Sequence, residues 1–175
     1  MLDGQRLLLT RRQNEILALL ALHPEGLALE HLHALLYGDK SVTASTLKAE
    51  VSHLRHALGG QLASRPYRLM MPVETDVEEV LDLLRRGELA AALDAYGGDL
   101  FPGTGSPALT ELADFVAVSV REALLADPQP GPVMRYTALA PYDTEVIEVA
   151  LAALPEGKHP ARALLKGRLA ASGGR

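Results

Sequence analysis

The stretch that decides the fold is Thr43–Leu69, TASTLKAEVSHLRHALGGQLASRPYRL. Its first part repeats apolar residues with the period of an amphipathic helix, and Gly59-Gly60 then ends the pattern. At 100° per residue, four apolar side chains fall into one stripe, which we expect to face a core. These side chains are Leu47, Val51, Leu54 and Leu58.

The opposite side of this predicted helix, its outer face, is small, polar and positive. Its members are Ser45, Lys48, Ala49, Ser52, Arg55 and His56. Such a face can enter an anionic groove without side-chain bulk or charge repulsion. Such a face alone is more typical of an ordinary solvated helix surface, and it favours nucleic acid only in combination with the elements that surround it.

A very short β-hairpin is predicted directly after the helix. The segments 62–64 and 67–69 are spaced to pair, with Arg65-Pro66 at the tip. Because proline cannot donate to a strand ladder, it suits a tip or an edge. The hairpin brings two further cations, Arg65 and Arg68, close to the helix.

The composition favours a mainly helical protein. Of the 175 residues, 48% are hydrophobic, most of them Leu and Ala, and only 4% are aromatic. A β-sandwich would contain more β-branched and aromatic residues.

No apolar run approaches the ~20 residues of a membrane span, and the start MLDGQRLLLT lacks a signal-peptide cleavage site. The absence of cysteine excludes disulfides and thiol chemistry. We expect a bacterial-type cytoplasmic protein.

The net charge of −5 is unevenly distributed along the chain. Residues 1–72 carry a net charge of +2 and residues 73–175 carry −7. A DNA-facing surface needs local rather than global positive charge. The charge division therefore permits DNA binding by the first half and leaves the acidic half for another partner.

Two more helices are predicted before the quoted stretch. Thr10 and Gln13 form a capping box for a helix that runs to about Leu22 and buries Ile16, Leu17 and Leu20. A second helix covers about 29–36, and either Ser41 or Thr43 caps the third, at about 43–58. Three helices with this spacing match the helix-turn-helix plan.

The second half also reads as helical. Helices are predicted at about 75–86, 88–96, 108–125, 133–140, 143–154 and 160–171, with a turn-rich loop at 97–107. Successive helix pairs of this size suggest a small tetratricopeptide-like array, although no strict 34-residue repeat is present. We place the domain boundary near 72–75, giving domains at 1–72 and 73–175.

In this order the segments resemble a known family. LTRRQNEILALLALHPEGLALEHLHALLYGD, STLKAEVSHLRHALGG and LASRPYRL resemble an OmpR-type winged helix-turn-helix with a short wing at 62–69. TDVEEVLDLLRRGELAAALDAYGGDLFPGTGSP resembles the helical domain of bacterial transcriptional activators. Together they resemble the C-terminal output region of regulators that carry a GAF-type sensor. The wing is shorter than usual, and Ser52 and His53 stand where the family often has consecutive basic residues.

The resemblance implies a sequence-specific DNA-binding transcription regulator without enzymatic activity. Its recognition helix would enter the major groove, with five side chains near base edges: Ser45, Lys48, Ala49, Ser52 and His53. Arg55, His56 and Arg68 would approach phosphates, and Arg65 the backbone or minor groove. The alternative is a winged-helix protein-interaction adaptor that has lost DNA binding. RNA polymerase, a sensor domain and a second copy all remain open as partners of the helical half.

Other chemistry has little support in the sequence. The pairs His31/His33 and His53/His56 lack the third and fourth ligands of a zinc site, so we expect no metal. The loop Gly97–Gly105 lacks the preceding strand and the Lys of a phosphate-binding loop. No Ser/His/Asp set has a nucleophile context. We therefore expect neither a cofactor nor catalysis.

Overall fold

A computed structural model describes residues 7–155 and 159–172. Within these residues the chain is mainly helical and has one antiparallel two-stranded hairpin, as expected from the composition and from the spacing of 62–64 and 67–69. The elements are α1 (Arg11–Ala21), α2 (Leu29–Tyr37), α3 (Ala44–Ala57), β1 (Leu62–Ser64), β2 (Tyr67–Leu69), α4 (Asp76–Arg85), α5 (Leu89–Tyr96), α6 (Pro107–Ala126), α7 (Pro130–Leu139), α8 (Thr144–Ala153) and α9 (Pro160–Ser172). The expectation that no signal peptide is present rests on the start MLDGQRLLLT. Residues 1–6 of that start lie outside the described residues.

The elements form two units. The first unit contains Met1–Thr75 and Phe101–Asp114, and the second contains Asp76–Leu100 and Phe115–Arg175. The division into domains 1–72 and 73–175 stays a prediction. In the structure, residues 101–114 belong to the first unit. No helix among the described residues combines the length and apolar character needed to cross a membrane.

Helices α1, α2 and α3 enclose the core of the first unit. The predicted stripe of α3 is confirmed, because Leu47, Val51, Leu54 and Leu58 are almost completely buried. Burying each such side chain contributes about 1.5–3 kcal/mol. In α1, Ile16 and Leu20 are buried as predicted. Leu17 is only partly buried and Leu19 takes the core position, because 16, 19 and 20 share a helix face.

Side-chain caps fix the starts of α1 and α3. The capping box of α1 is confirmed: Thr10 accepts from the Gln13 amide at 3.2 Å, and Gln13 accepts from the Thr10 amide at 3.0 Å. Of the two candidate caps for α3, Thr43 is the one used, and its hydroxyl accepts from the Thr46 amide at 3.3 Å. These bonds satisfy amide donors that a helix start otherwise leaves unpaired.

The hairpin has the predicted strands. Leu62 pairs with Leu69, and Ser64 pairs with Tyr67, so Arg65-Pro66 forms the tip. An additional bridge was not predicted: the amides and carbonyls of Leu27 and Tyr67 exchange two hydrogen bonds of 2.9 Å. This bridge attaches the hairpin to the turn that precedes α2.

The loop before α6 is held in the first unit by polar contacts. The Glu15 carboxylate, on a residue only 4% exposed, accepts from the Thr104 hydroxyl and the Gly105 amide, both at 2.8 Å. Lys40 donates to the Gly105 carbonyl at 2.8 Å, and the Ser106 hydroxyl donates to the Leu35 carbonyl at 2.8 Å. The turn-rich loop of the sequence analysis is therefore anchored to α1 and α2.

In the second unit the helices pack in succession. Helix α4 packs against α5, α5 against α7, and α7, α8 and α9 against one another. Helix α7 begins at Pro130, three residues earlier than predicted. Proline is accommodated in a first helical turn because its missing amide hydrogen would have no partner there.

Candidate nucleic-acid interface

The outer side of α3 is exposed along its length. Six of the residues predicted to contact DNA are exposed there: Ser45, Lys48, Ala49, Ser52, His53 and His56. We call these six residues the exposed face of α3. The Ser45 hydroxyl lies 2.8 Å from that of Thr43, so the cap and the first residue of the face are connected. Because the opposite side of the helix fills the core, this face is fixed in position by packing.

Arg55 is placed differently from the other predicted contacts. Its side chain is partly buried, with Nε donating to the Leu62 carbonyl at 2.8 Å and Nη2 to the Ser64 hydroxyl at 2.9 Å. A further contact of 3.5 Å joins Nη2 to the Ala63 carbonyl. The guanidinium therefore ties α3 to β1, a role that the sequence analysis did not foresee when it assigned Arg55 to phosphates.

The two arginines of the hairpin remain exposed. Arg65 stands at the tip, and Arg68 points outward from β2 between the partly buried Tyr67 and Leu69. The hairpin thus presents its cations on the side away from the core. Together with Lys48, they are the three exposed Lys or Arg side chains within residues 43–69, all of which the structure describes.

A groove of about 700 Å³ lies between α3, the start of α2 and the hairpin. Lys48, Arg55 and Arg65 line it, and Glu30 contributes an opposing charge. Its apolar walls include Leu27 and Val51, which are buried members of the first unit. Three basic side chains and one acidic side chain thus line the groove, and Lys48 belongs both to this lining and to the exposed face of α3.

Gly26 is a residue that the sequence analysis missed. Its φ of +91° lies in a region that residues with a side chain rarely adopt. A Cβ at this position would lie 2.9 Å from Pro66 Cγ and 3.0 Å from the Tyr67 carbonyl oxygen. Glycine is therefore required where the turn before α2 approaches the hairpin. The local signal is the Pro-Glu-Gly sequence that ends at Gly26.

Two histidines of the first unit contact backbone carbonyls, and one of them, His33, belongs to a pair considered above as metal ligands. One ring nitrogen of His23 lies 2.7 Å from the Leu19 oxygen, and one of His33 lies 2.6 Å from the Val42 oxygen. The second contact connects α2 to the segment that precedes α3. These side chains therefore have structural partners within the first unit.

A charged cluster outside the predicted site connects three helices of the second unit. Arg121 of α6 donates to Asp143 at 2.8 Å and also to Glu145 of α8, while the Tyr136 hydroxyl of α7 donates to Asp143 at 2.9 Å. Burial, followed by this hydrogen bond to Asp143, raises the pKa of the Tyr136 hydroxyl. Hydrogen bonds to Asp143 and Glu145 raise the pKa of Arg121. The arrangement is that of a structural ion network.

Comparison with known proteins identifies one similar protein of undescribed activity. The chain is 39% identical over 135 residues, or 77% of its length, to the uncharacterized 47.3 kDa protein in the thcA 5′ region of Rhodococcus erythropolis. It spans only 31% of the length of that relative. No family model and no solved structure matches the chain.

Proposed function

We propose that this chain is a sequence-specific DNA-binding transcription regulator. The observation that carries the proposal is the exposed face of α3, backed by a fully buried stripe and followed by a hairpin with two outward arginines. In this reading the first unit is an OmpR-type winged helix, with α3 as the recognition helix and β1–β2 as the wing. The bridge between Leu27 and Tyr67 supports it by attaching the wing to the helical core.

The chemistry of the exposed face suits a major groove. B-form DNA offers a groove about 12 Å wide, which admits one helix with its side chains. Ser45, Ala49 and Ser52 have small side chains that keep the face narrow, while Lys48 and His53 supply donors that reach base edges. The Lys48 ammonium, a point charge on a long stem, also neutralises one neighbouring phosphate in this proposal. His56, near the end of α3, and the exposed hairpin residues Arg65 and Arg68 would approach phosphates.

We assign Arg55 a positioning role in this mechanism. Its bonds to the Leu62 carbonyl and the Ser64 hydroxyl set the distance between α3 and the wing. With Arg55 engaged in this way, Lys48, Arg65 and Arg68 supply the phosphate-neutralising charge. Such a small number predicts weak binding by one copy and a shallow dependence on salt.

For the second unit we propose a tetratricopeptide-like array that contacts proteins. Helices α4, α5, α7, α8 and α9 pack in chain order, and the unit contains 13 Asp or Glu residues against 9 Lys or Arg residues. RNA polymerase, a sensor domain and a second copy are the candidate partners. The acidic surface would avoid phosphates and leave DNA to the first unit.

Selection from a library of random duplexes tests the proposed function. Duplexes retained by the chain at low salt are sequenced, and the enriched sequence is compared with a scrambled one by fluorescence anisotropy. The proposal expects a recurrent motif and tighter binding to it than to the scrambled duplex. Retention without a motif would contradict sequence-specific recognition, and no retention at low salt would favour the adaptor.

A further inference from the structure

Two large apolar side chains share the outside of α6 in the second unit. Phe115 and Val118 are each 56% exposed and stand three positions apart, so they lie on one side of the helix. Single exposed apolar side chains are ordinary on a protein surface. A pair beside an apolar groove is different, because it offers a continuous area that water solvates poorly.

Such a groove of about 520 Å³ lies next to this pair. It is lined by Leu81, Leu84 and Arg85 of α4 and by Phe115, Ser119 and Ala123 of α6. The Ser119 hydroxyl donates to the Phe115 carbonyl at 2.7 Å, so covering the groove would leave this donor satisfied. Arg85 is the only charged side chain in the lining.

A ridge on α6, formed by Val118 and Glu122, carries the charge opposite to that of the groove. Val118 and Glu122 are one turn apart and stand beside the groove-lining side of the helix. The Glu122 side chain is 63% exposed, and that of Arg85 is 67% exposed. Their present partners, Arg121 and Asp82, are neighbours on their own helices, at 3.3 Å and 3.1 Å. Surface pairs of this kind are weak and exchange readily.

We propose that a second copy of this chain occupies the groove. The ridge of each copy lies in the groove of the other, with Val118 against the apolar lining and Glu122 paired with Arg85. A two-fold interface brings the same surface patch of both copies together. This patch contains both the ridge and the groove, so each copy can supply both elements of the contact. The ridge combines an apolar side chain with an acid, whereas the groove combines an apolar lining with a base.

The biological purpose of this dimer rests on the proposed function. Residues 43–69 of one copy offer three exposed Lys or Arg side chains to DNA, and two copies on adjacent half-sites would double the number of neutralised phosphates. The oligomeric state is measured without DNA, so the two proposals fail separately. A dimer that binds no DNA would overturn only the function, and a DNA-binding monomer would overturn only the dimer.

Sedimentation equilibrium of the full chain tests the interface. The wild type should show a concentration-dependent monomer–dimer equilibrium. Val118→Glu should raise the dimer dissociation constant at least about tenfold, which corresponds to ~1.4 kcal/mol. Leu164→Glu is the matched control, because this side chain is also largely exposed but belongs to α9. Helical circular dichroism verifies that each variant is folded.

Exchanging the two opposite charges tests whether Arg85 of one copy pairs with Glu122 of the other. Arg85→Glu and Glu122→Arg should each weaken the dimer, and the double variant should restore it to within about threefold of the wild type. A wild type that remains monomeric at all concentrations would overturn the proposal. So would a dimer unaffected by Val118→Glu, or a double variant no better than the single ones.

Discussion

Arg55 Nε and the Leu62 carbonyl oxygen are 2.8 Å apart, which fixes β1 to the last turn of α3. The same guanidinium also reaches the Ser64 hydroxyl near the hairpin tip. A side chain that looks in the sequence like a phosphate contact is thus an internal connection. Because of these contacts, the Arg55 guanidinium is engaged within the first unit, and the hairpin is held against α3.

The positioning role of Arg55 predicts an unusual pair of effects for Arg55→Ala. DNA affinity should fall about tenfold because the hairpin is no longer held. The slope of log affinity against log salt should stay the same, since no phosphate contact is lost. Anisotropy titrations at several salt concentrations measure both quantities. Hydrogen exchange of the amides in 62–69 should accelerate in the variant. A slope reduced by about 0.9 would instead show that Arg55 binds a phosphate.

Close approach of Gly26 to the hairpin predicts that Gly26→Ala destabilises the first unit. The variant combines an unfavourable positive φ with overlap against Pro66 and Tyr67, for a cost of about 2 kcal/mol or more. Urea denaturation gives the change in free energy of unfolding. Gly60→Ala is the control, because Gly60 has a similar φ of +87° and nothing within 4 Å of an added Cβ. Equal effects of the two substitutions would show that overlap with the hairpin adds nothing.

The buried Glu15 predicts a large effect of Glu15→Ala on the loop before α6. Removal of the carboxylate leaves the Thr104 hydroxyl and Gly105 amide without their acceptor, and leaves Arg12 without its ion pair at 2.7 Å. We expect a loss on the order of 3 kcal/mol in the free energy of unfolding and faster exchange of the Gly105 amide. Glu148→Ala, at an exposed position of α8, should change neither quantity measurably. An unchanged Gly105 exchange rate in Glu15→Ala would contradict the anchor.

Tyr136 predicts sensitivity to alkaline pH. Its pKa is raised in the folded state, first by burial and then by the hydrogen bond to Asp143, so the folded state holds the proton more tightly. This contribution to stability is fully present below the ordinary tyrosine pKa of about 10 and is lost as the pH rises above it. Urea midpoints at pH 9 and pH 11 should therefore fall less in Tyr136→Phe than in the wild type. An equal fall would show that Tyr136 ionises alike in both states.

The sequence predicts those parts of the fold that depend on neighbouring residues. The Thr10–Gln13 box and the strand pairing of 62–64 with 67–69 follow from short-range rules, which also limit the cap of α3 to Ser41 or Thr43. The buried stripe of α3 follows from helical periodicity in the same way. These features need no knowledge of distant contacts, which explains why they were correct.

Long-range contacts could not be predicted in this way. Glu15 and Gly105 are 90 positions apart, and an acid in α1 gives no local sign that a loop will cover it. Arg55 has the same side chain whether it faces water, a phosphate or the hairpin, so only the structure separates these roles. Similarly, the charges of Arg121 and Asp143 become a network only when α6, α7 and α8 pack together.

The salt dependence of DNA affinity for Lys48→Ala tests the central claim most directly. Lys48 lies in the middle of the exposed face of α3, and Lys166 is an equally charged, exposed control on α9. For each bound copy, the three exposed Lys or Arg side chains within residues 43–69 predict a slope of about −2.7 in log affinity against log salt. Lys48→Ala should bring it to about −1.8, and Lys166→Ala should leave it unchanged. Identical slopes for the wild type and Lys48→Ala, or no binding by the wild type at low salt, would contradict DNA recognition by α3.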